Sequence, residues 1–579
     1  MIMNKNHKPI RLKLAHINDT HSYFEPTSLQ LKLNVNSDHF LEPYVSAGGF
    51  SRIATRVEQL RDDAQRQGQG MLFLHAGDCF QGTLYFSLFK GIANADLLNA
   101  LQIDAMVLGN HELDMGNEPV ALFCKRTEFP LLAGNWDLSN ECQQKCHRLN
   151  NCSNVLSYQA ETKSAQFLVK EFSGEKVAIF GLSIDKMSDI ANPDADTPFV
   201  SAIETAKWTV KQIHNAGIKN IILLSHLGYE GDLELAAQVD GIGIIVGGHS
   251  HKLQGDFTAV GLGEDDPYGR RVNDTYVVQS GFHALTIGHC VLEFDENGKA
   301  TMLSGQNELL LGRRIFWDST LSEQLDRGMF ETACDFIHGQ PNVVVCKKHP
   351  QIQAILNDKY IPRVRQLQSQ VIAHVDAKKR HVRVPDAFGG SDIAPAVARS
   401  FLYSLNKRGQ QVQFAIHNAG GVRTSLNPGN ITVADVAGRL LPFAVPIGCY
   451  DVQGGTIRHA LEGAINNALN NGVEGTGSGS YPYTHNLSFD YNAEAPRGER
   501  IKNLQIFDGQ HWDHVQDEQW YRGASSAYTM KGKEGYEALL DMRGEGVISN
   551  LSMADCFIEL LTDEPNCLNQ DHKLYSKSK

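Results

Sequence analysis

No apolar run in this sequence approaches the roughly 18 residues that a membrane-crossing helix needs. The longest, around residues 221–224 and 242–246, are strand-sized. Residues 1–13 are polar and basic and lack an apolar stretch, so no secretory signal is read there. Cysteine is sparse: eleven in 579 residues, an odd number spread from Cys79 to Cys567, which disfavours a disulfide framework. Cys142, Cys146 and Cys152 lie near His147 but lack the paired spacing of a zinc cluster, and are read as free or locally bridged thiols on a surface loop. Positive charge is short as well. With 53 basic and 66 acidic side chains the net charge is −13, which argues against a nonspecific nucleic-acid binder. Glycine and proline, at 52 and 19, exclude collagen and wholesale disorder. As written the chain reads as cytoplasmic, with neither a membrane nor a nucleic-acid polymer as partner. A leader removed beforehand would make it periplasmic.

What the sequence has in surplus is histidine, 23 residues. The first half alternates short apolar runs, at residues 12–17, 70–74, 177–182, 218–224 and 243–246, with helix-length segments such as 53–65. That alternation predicts an α/β fold. Between about residues 319 and 372 the pattern turns helical, with Ile352, Ile355, Leu356, Tyr360, Val364 and Leu367 in helical rhythm. The expected organisation is a first domain over 10–318, a helical linker over 319–372 with a hinge near 350–372, and a second mixed α/β domain over 373–570.

Five blocks follow strand-forming runs: His16-Ile17-Asn18-Asp19-Thr20-His21, Ala76-Gly77-Asp78, Gly109-Asn110-His111-Glu112-Leu113-Asp114, Leu224-Ser225-His226 and Gly247-Gly248-His249-Ser250-His251. Each block therefore emerges at a strand's carboxyl end, where open α/β sheets carry their sites. Asp19 with His21, and His249 with His251, are two apart, so one loop can turn both members toward one ion. Taken singly, each block is as well explained by a capped loop or a core histidine; their joint occurrence is not. Carboxylate, imidazole and amide donors suit divalent Zn, Mn, Co or Fe. Asp78, flanked by glycine, is the candidate to bridge two ions, which together clamp a phosphoryl group. His111 has two candidate orienting carboxylates, Glu112 and Asp114.

The order of these blocks resembles the calcineurin-like metallophosphoesterases, and the details around His21, Gly82-Thr83 and Asp114 resemble the two-domain 5′-nucleotidases among them, nearest to the bacterial NAD nucleotidase and UDP-sugar hydrolase type. The resemblance implies an N-terminal β-sandwich flanked by helices and a C-terminal substrate-binding domain. It further implies that Asp19, His21, Asp78 and His251 hold one metal and Asp78, Asn110, His226 and His249 the other. His111 and Asp114 would form a catalytic dyad.

In the second half, residues 412–416 form an apolar strand that runs into His417-Asn418-Ala419-Gly420-Gly421-Val422-Arg423, a glycine turn presenting an arginine. Arg423 suits an anion in fork geometry. By the resemblance, Asn418 and Arg423 contact the substrate, Phe443 stacks on one face of a nucleobase and Tyr481 on the other, with Tyr483 as the substitute if the register slips. Arg383 matches a further substrate arginine loosely, and Asn492 stands where an acid for the ribose is expected. The implied activity is dimetal-dependent hydrolysis of nucleoside 5′-monophosphates, in nucleotide catabolism or salvage. The alternatives are a 2′,3′-cyclic-nucleotide phosphodiesterase or an NAD or UDP-sugar pyrophosphatase on the same centre, or a nucleotide-binding protein with a degenerate site.

Overall fold

The computed structural model describes residues 9–36, 39–442, 445–473, 475, 477–544 and 546–570. The chain divides into two compact units. One is built from residues up to Gln81 and from Leu88–Ile361, the other from Gly82–Ser87 and from Pro362 onward.

The first unit is a sandwich of two sheets. In the first sheet β1 (Ile10–Ile17), β2 (Gly70–His75), β3 (Ala105–Val107), β4 (Leu131–Ala133) and β5 (Val155–Gln159) run parallel. The second sheet contains the parallel strands β6 (Glu175–Ser183), β7 (Asn220–His226), β8 (Ile244–Val246) and β9 (Thr275–Val278). β10 (Thr286–Phe294) and β11 (Ala300–Phe316) return the chain to the first sheet, β10 pairing antiparallel to β1.

The unbroken apolar runs of β6, β7 and β8 have a physical cause: both faces of these strands are covered. Val177, Ile179, Ile222, Leu224, Ile244 and Val246 point into the core between the sheets, against Leu12, Leu14, Leu72, Leu74 and Val107. Their neighbours Ala178, Phe180, Ile221, Leu223 and Ile245 point outward, where Ala202–Asn215 and Tyr229–Gln238 supply Ala206, Val210, Ile213 and Leu235. On the first sheet, Phe50–Arg66 buries Ile53, Val57, Leu60 and Ala64. This is the helix-flanked sandwich that the resemblance implied.

The segment 319–372 is helical in Arg327–His338 and again from Pro350–Ile355 to Ile361–Gln368. It also holds a strand, Val343–Val345, paired parallel to Leu309, Leu310 and Leu311 of β11. Three consecutive β-branched valines favour that extended form. The segment as far as Ile361 thus belongs to the first unit.

The second unit has a mixed sheet of β12 (Phe414–Asn418), β13 (Pro446–Gln453), β14 (Pro482–His485), β15 (Trp520–Ser526) and β16 (Val547–Ser552), in the order β14-β12-β15-β13-β16. β12 and β15 are parallel neighbours, so their carboxyl ends share one edge. Among the described residues, no helix is long and apolar enough to cross a membrane.

Candidate metal centre

Because β1, β2, β3, β7 and β8 all run in one sense within their sheets, the loops at their carboxyl ends gather at one end of the sandwich. Backbone hydrogen bonds join the first two loops: Asp19 N–H to Gly77 O at 2.9 Å, His21 N–H to Asp78 O at 3.1 Å and Ser22 N–H to Cys79 O at 3.0 Å. The His249 N–H then reaches Asp19 Oδ2 at 2.9 Å, and the His111 N–H reaches Asp78 Oδ1 at 2.9 Å.

The side chains form overlapping donor groups. Asp19, His21 and His251 make one, Asp78, His226 and His249 another, and Asp78 also joins His21 and His111, with the donor atoms of each group within 4.8 Å of one another. Asn110 sits inside the second group, its Oδ1 2.9 Å from His249 Nδ1 and 3.2 Å from His226 Nε2. The seven residues expected to hold metal are thus brought together, with Asp78 at the overlap.

Whether this set suits metal ions is answered by its own chemistry. Asp19 and Asp78 are buried, yet among the described residues no lysine or arginine lies within ion-pair distance of either. Burial pushes the Asp78 carboxyl up, but the imidazoles of His226 and His111 outweigh it and hold it well below the usual range. The backbone is also forced. Asp19, His21, Asp78, His249 and His251 all have φ between 46° and 73°, left-handed values that non-glycine residues rarely adopt. Such strain gathers at functional sites. Close approach leaves no room for a side chain at Gly109, where a Cβ would lie 2.3 Å from Asp78 Oδ1. Buried nitrogen and oxygen donors of this kind fit divalent ions.

The two candidate orienters of His111 separate cleanly. Asp114 Oδ2 lies 2.7 Å from His111 Nδ1 and also accepts the Gln81 amide at 2.9 Å. The Glu112 carboxylate instead accepts backbone N–H groups from Asp78, Cys79, Phe80 and Gly109 at 2.7–3.1 Å. It clamps the Asp78 loop to the His111 turn. Burial disfavours charge on His111, but the carboxylates of Asp114 and Asp78 raise it to about 10.

Sequence reasoning missed His75. Its Nδ1 accepts the Gly77 N–H at 3.1 Å, so its Nε2 carries the proton and donates to Thr20 Oγ1 at 2.9 Å. It bolts the Asp19 and Asp78 loops together from below. Cys142 and Cys146 are exposed, Cys152 is buried and all three are free thiols.

In the second unit a cavity of about 320 Å³ lies at the carboxyl ends of β12 and β15, lined among others by Arg383, Asn418, Arg423, Ser526, Tyr528 and Glu534. Three of the expected substrate residues are therefore together. Phe443 lies outside the described residues. Tyr481 is not among the cavity's lining residues; it is buried, its ring edge-on to Tyr483 at 5.4 Å. Tyr483 in turn accepts the Ser391 N–H and donates to Val382 O. Asn492 caps its own turn, its Oδ1 accepting the Glu494 N–H at 3.0 Å. Among the described residues, the aromatic ring and the acid that line the cavity are Tyr528 and Glu534, neither singled out from the sequence. Burial raises the Glu534 carboxyl, which is hydrogen-bonded to Tyr528. The signal that marked Glu534 was present: a glycine-rich turn, Gly532-Lys533-Glu534-Gly535, one short helix (Ala527–Met530) after the end of β15, with Glu534 at φ 54°.

Residues 12–253 match the family described as calcineurin-like phosphoesterase, and residues 371–541 match the 5′-nucleotidase C-terminal domain. Over 97% of its length the chain is 28% identical to the NAD 5′-nucleotidase of Haemophilus influenzae, covering 91% of that protein. It is 30% identical to the Treponema pallidum protein named "Probable 5′-nucleotidase", across 91% of this chain and 87% of that one. The solved structure of the Haemophilus influenzae NAD nucleotidase superposes with a TM-score of 0.64 at 26% identity, covering 96% of this chain and 97% of that one.

Proposed function

The chain belongs to the 5′-nucleotidase family of the calcineurin-like phosphoesterases, and we propose on that premise that it hydrolyses nucleoside 5′-monophosphates to nucleoside and phosphate. The observation that carries the reading is the overlap at Asp78: one buried carboxylate shared by two donor groups, with the His111–Asp114 pair beside it. Calcineurin-like phosphoesterases use a dinuclear divalent centre. Asp19, His21, Asp78 and His251 would hold one ion, and Asp78, Asn110, His226 and His249 the other. Bound there, two divalent ions supply charge neutralisation for the phosphoryl oxygens and activation of water.

The chain's own residues do the rest. Asp114, fixed by Gln81, holds His111 through Nδ1 and leaves Nε2–H for the phosphoryl group. A charged imidazole there steadies the charge that develops on the transferring phosphoryl. The same Nε2 gives its proton to the departing oxygen of the nucleoside. In the second unit, Tyr528 offers a face for the base, Glu534 accepts from ribose hydroxyls, and Arg383, Arg423 and Asn418 take the anionic part.

A dinucleotide pyrophosphate is the second reading, favoured by the similarity across almost the whole chain to a protein named NAD 5′-nucleotidase. Chromatographic identification of the products formed from AMP, UMP, NAD, UDP-glucose and 2′,3′-cyclic AMP, in the presence of Mn²⁺, separates the readings. Turnover of AMP or UMP supports the monoesterase. Turnover of NAD or UDP-glucose without the monophosphates moves the function to pyrophosphates, and exclusive turnover of the cyclic nucleotide overturns both.

A further inference from the structure

Two of the histidines gathered at the metal centre are fixed in the same way. His21 Nδ1 meets Phe80 O at 3.0 Å, and His226 Nδ1 meets Ala76 O at 2.7 Å. In each ring the nitrogen facing the carbonyl carries the proton, and Nε2 is left as a metal donor. The side chains of these two are 7% and 0% exposed.

His251 is held differently. Its Nε2 is turned inward, 3.2 Å from His21 Nε2 and 3.5 Å from Asp19 Oδ1. Among the described residues its Nδ1 makes no hydrogen bond, and the side chain is 39% exposed. With Nδ1 unanchored, His251 lacks the carbonyl tether that fixes the rings of His21 and His226, and only its Nε2 contacts oppose a swing outward into water. In place of the missing carbonyl there is a ring. Phe282 stacks on His251 with centroids 4.9 Å apart and planes inclined by 16°.

The segment that carries Phe282 is constrained on both sides. Gly281, His283 and Ala284 have φ of 73°, 56° and 55°. Asn18 Nδ2 donates to Gly281 O at 2.6 Å, the His283 N–H to Asp19 O at 2.8 Å, and the Gly49 N–H to Ala284 O at 3.0 Å. His283 stacks on Tyr23 at 3.8 Å and meets the His21 ring edge-on at 5.8 Å. The segment is therefore tied to the Asp19–His21 loop and cannot drift from it.

We propose that Phe282 is a positioning residue for His251, holding the imidazole by its face so that Nε2 stays directed at the ion shared with Asp19 and His21. This rests on the reading that these residues hold metal. The flat contact excludes the water that would solvate an outward-turned ring, and it blocks rotation of the ring out of its plane.

The test is Mn²⁺ binding by the purified full-length chain after chelation, with stoichiometry and affinity measured alongside the melting temperature in chelator. Wild type is expected to take two ions. Phe282→Ala is expected to keep one at wild-type affinity and to bind the other roughly 10–100-fold more weakly, as outer-shell losses typically do, with its melting temperature in chelator unchanged. Phe282→Tyr restores the ring and is expected to restore the second ion. Should Phe282→Ala not fold, Phe282→Leu keeps the apolar volume without the flat face, and the comparison is made between Leu and Tyr. Two ions bound at wild-type affinity by the Ala or Leu variant overturns the proposal while leaving the metal-centre reading intact. A wild-type chain that binds no ion overturns both.

Discussion

The imidazole of His111 meets Asp114, three residues on, and not the adjacent Glu112: Nδ1 and Oδ2 are 2.7 Å apart. The short 3-10 turn His111–Leu113 brings Asp114 round to the ring, while Glu112 faces the backbone amides of the neighbouring loop.

The two carboxylates are therefore expected to fail differently. His111→Ala lowers kcat by about 10²–10⁴-fold, the usual weight of a positioned acid or base, and Asp114→Asn lowers kcat with metal content unchanged. Glu112→Gln weakens hydrogen bonds to a charged acceptor, worth about 1.5–3 kcal/mol each, so its first effect is a lower melting temperature. Steady-state kinetics and thermal melts on the three variants check this. Equal loss of kcat with unchanged melting in both carboxylate variants would contradict it.

Asp78 is the shared donor, so Asp78→Ala is expected to cost both ions and all phosphate release, whereas His249→Ala costs one. Metal analysis by mass spectrometry reads the stoichiometry directly. Chelation of the wild type should abolish activity, and added Mn²⁺ or Zn²⁺ should restore it.

In the second unit, Tyr528→Ala is expected to raise KM roughly 5–150-fold, the cost of about 1–3 kcal/mol for a lost base stack, with kcat little changed. Glu534→Gln acts in the same direction through the ribose. Tyr481→Phe is expected to leave both constants near wild type, because its ring does not line the cavity. A larger effect from Tyr481 than from Tyr528 would return the stacking role to the residue first expected from the sequence.

On β11, Glu308 is buried between Arg56, which holds it with two hydrogen bonds of 2.6 and 2.8 Å, and His289 at 2.9 Å. Burial raises the Glu308 carboxyl, but its hydrogen bonds to His289 and Arg56 outweigh that and lower it from 4.5 to about 2. A carboxyl depressed in the folded state contributes stability that is fully present above about pH 4.5 and is lost as pH falls toward 2. The contribution is on the order of 3 kcal/mol. Urea unfolding of Glu308→Gln between pH 7 and 3 should show a shallower loss of stability on acidification than wild type. A parallel pair of curves would count against it.

The metal centre was legible because each donor follows a strand run that both faces of the sheet bury, and parallel strands deliver their ends to one place. The choice between Glu112 and Asp114 was not, since both lie within reach along the chain and only the turn geometry decides. Tyr528, the ring proposed to bind the base, was not legible for a related reason. Tyr481 follows a Gly/Ser-rich loop that does reach the cavity, through Gly477, Ser478 and Gly479, but the chain then enters β14 and the ring is buried. Tyr528 lies just past β15, whose parallel pairing with β12 over a hundred residues away no local pattern reveals. The same distance hid the pairing of Val343–Val345 with β11.

Five of the seven donors sit on left-handed backbone, and four of them, Asp19, His21, Asp78 and His249, are held there by hydrogen bonds from their own N–H groups to some other loop. The donor set is therefore not a portable motif. A loop such as residues 18–22, grafted alone onto another scaffold, would relax to ordinary φ values and turn its aspartate and histidine apart. What would have to be transplanted is the arrangement of strand ends itself, which makes the sandwich as much a part of the metal centre as the side chains.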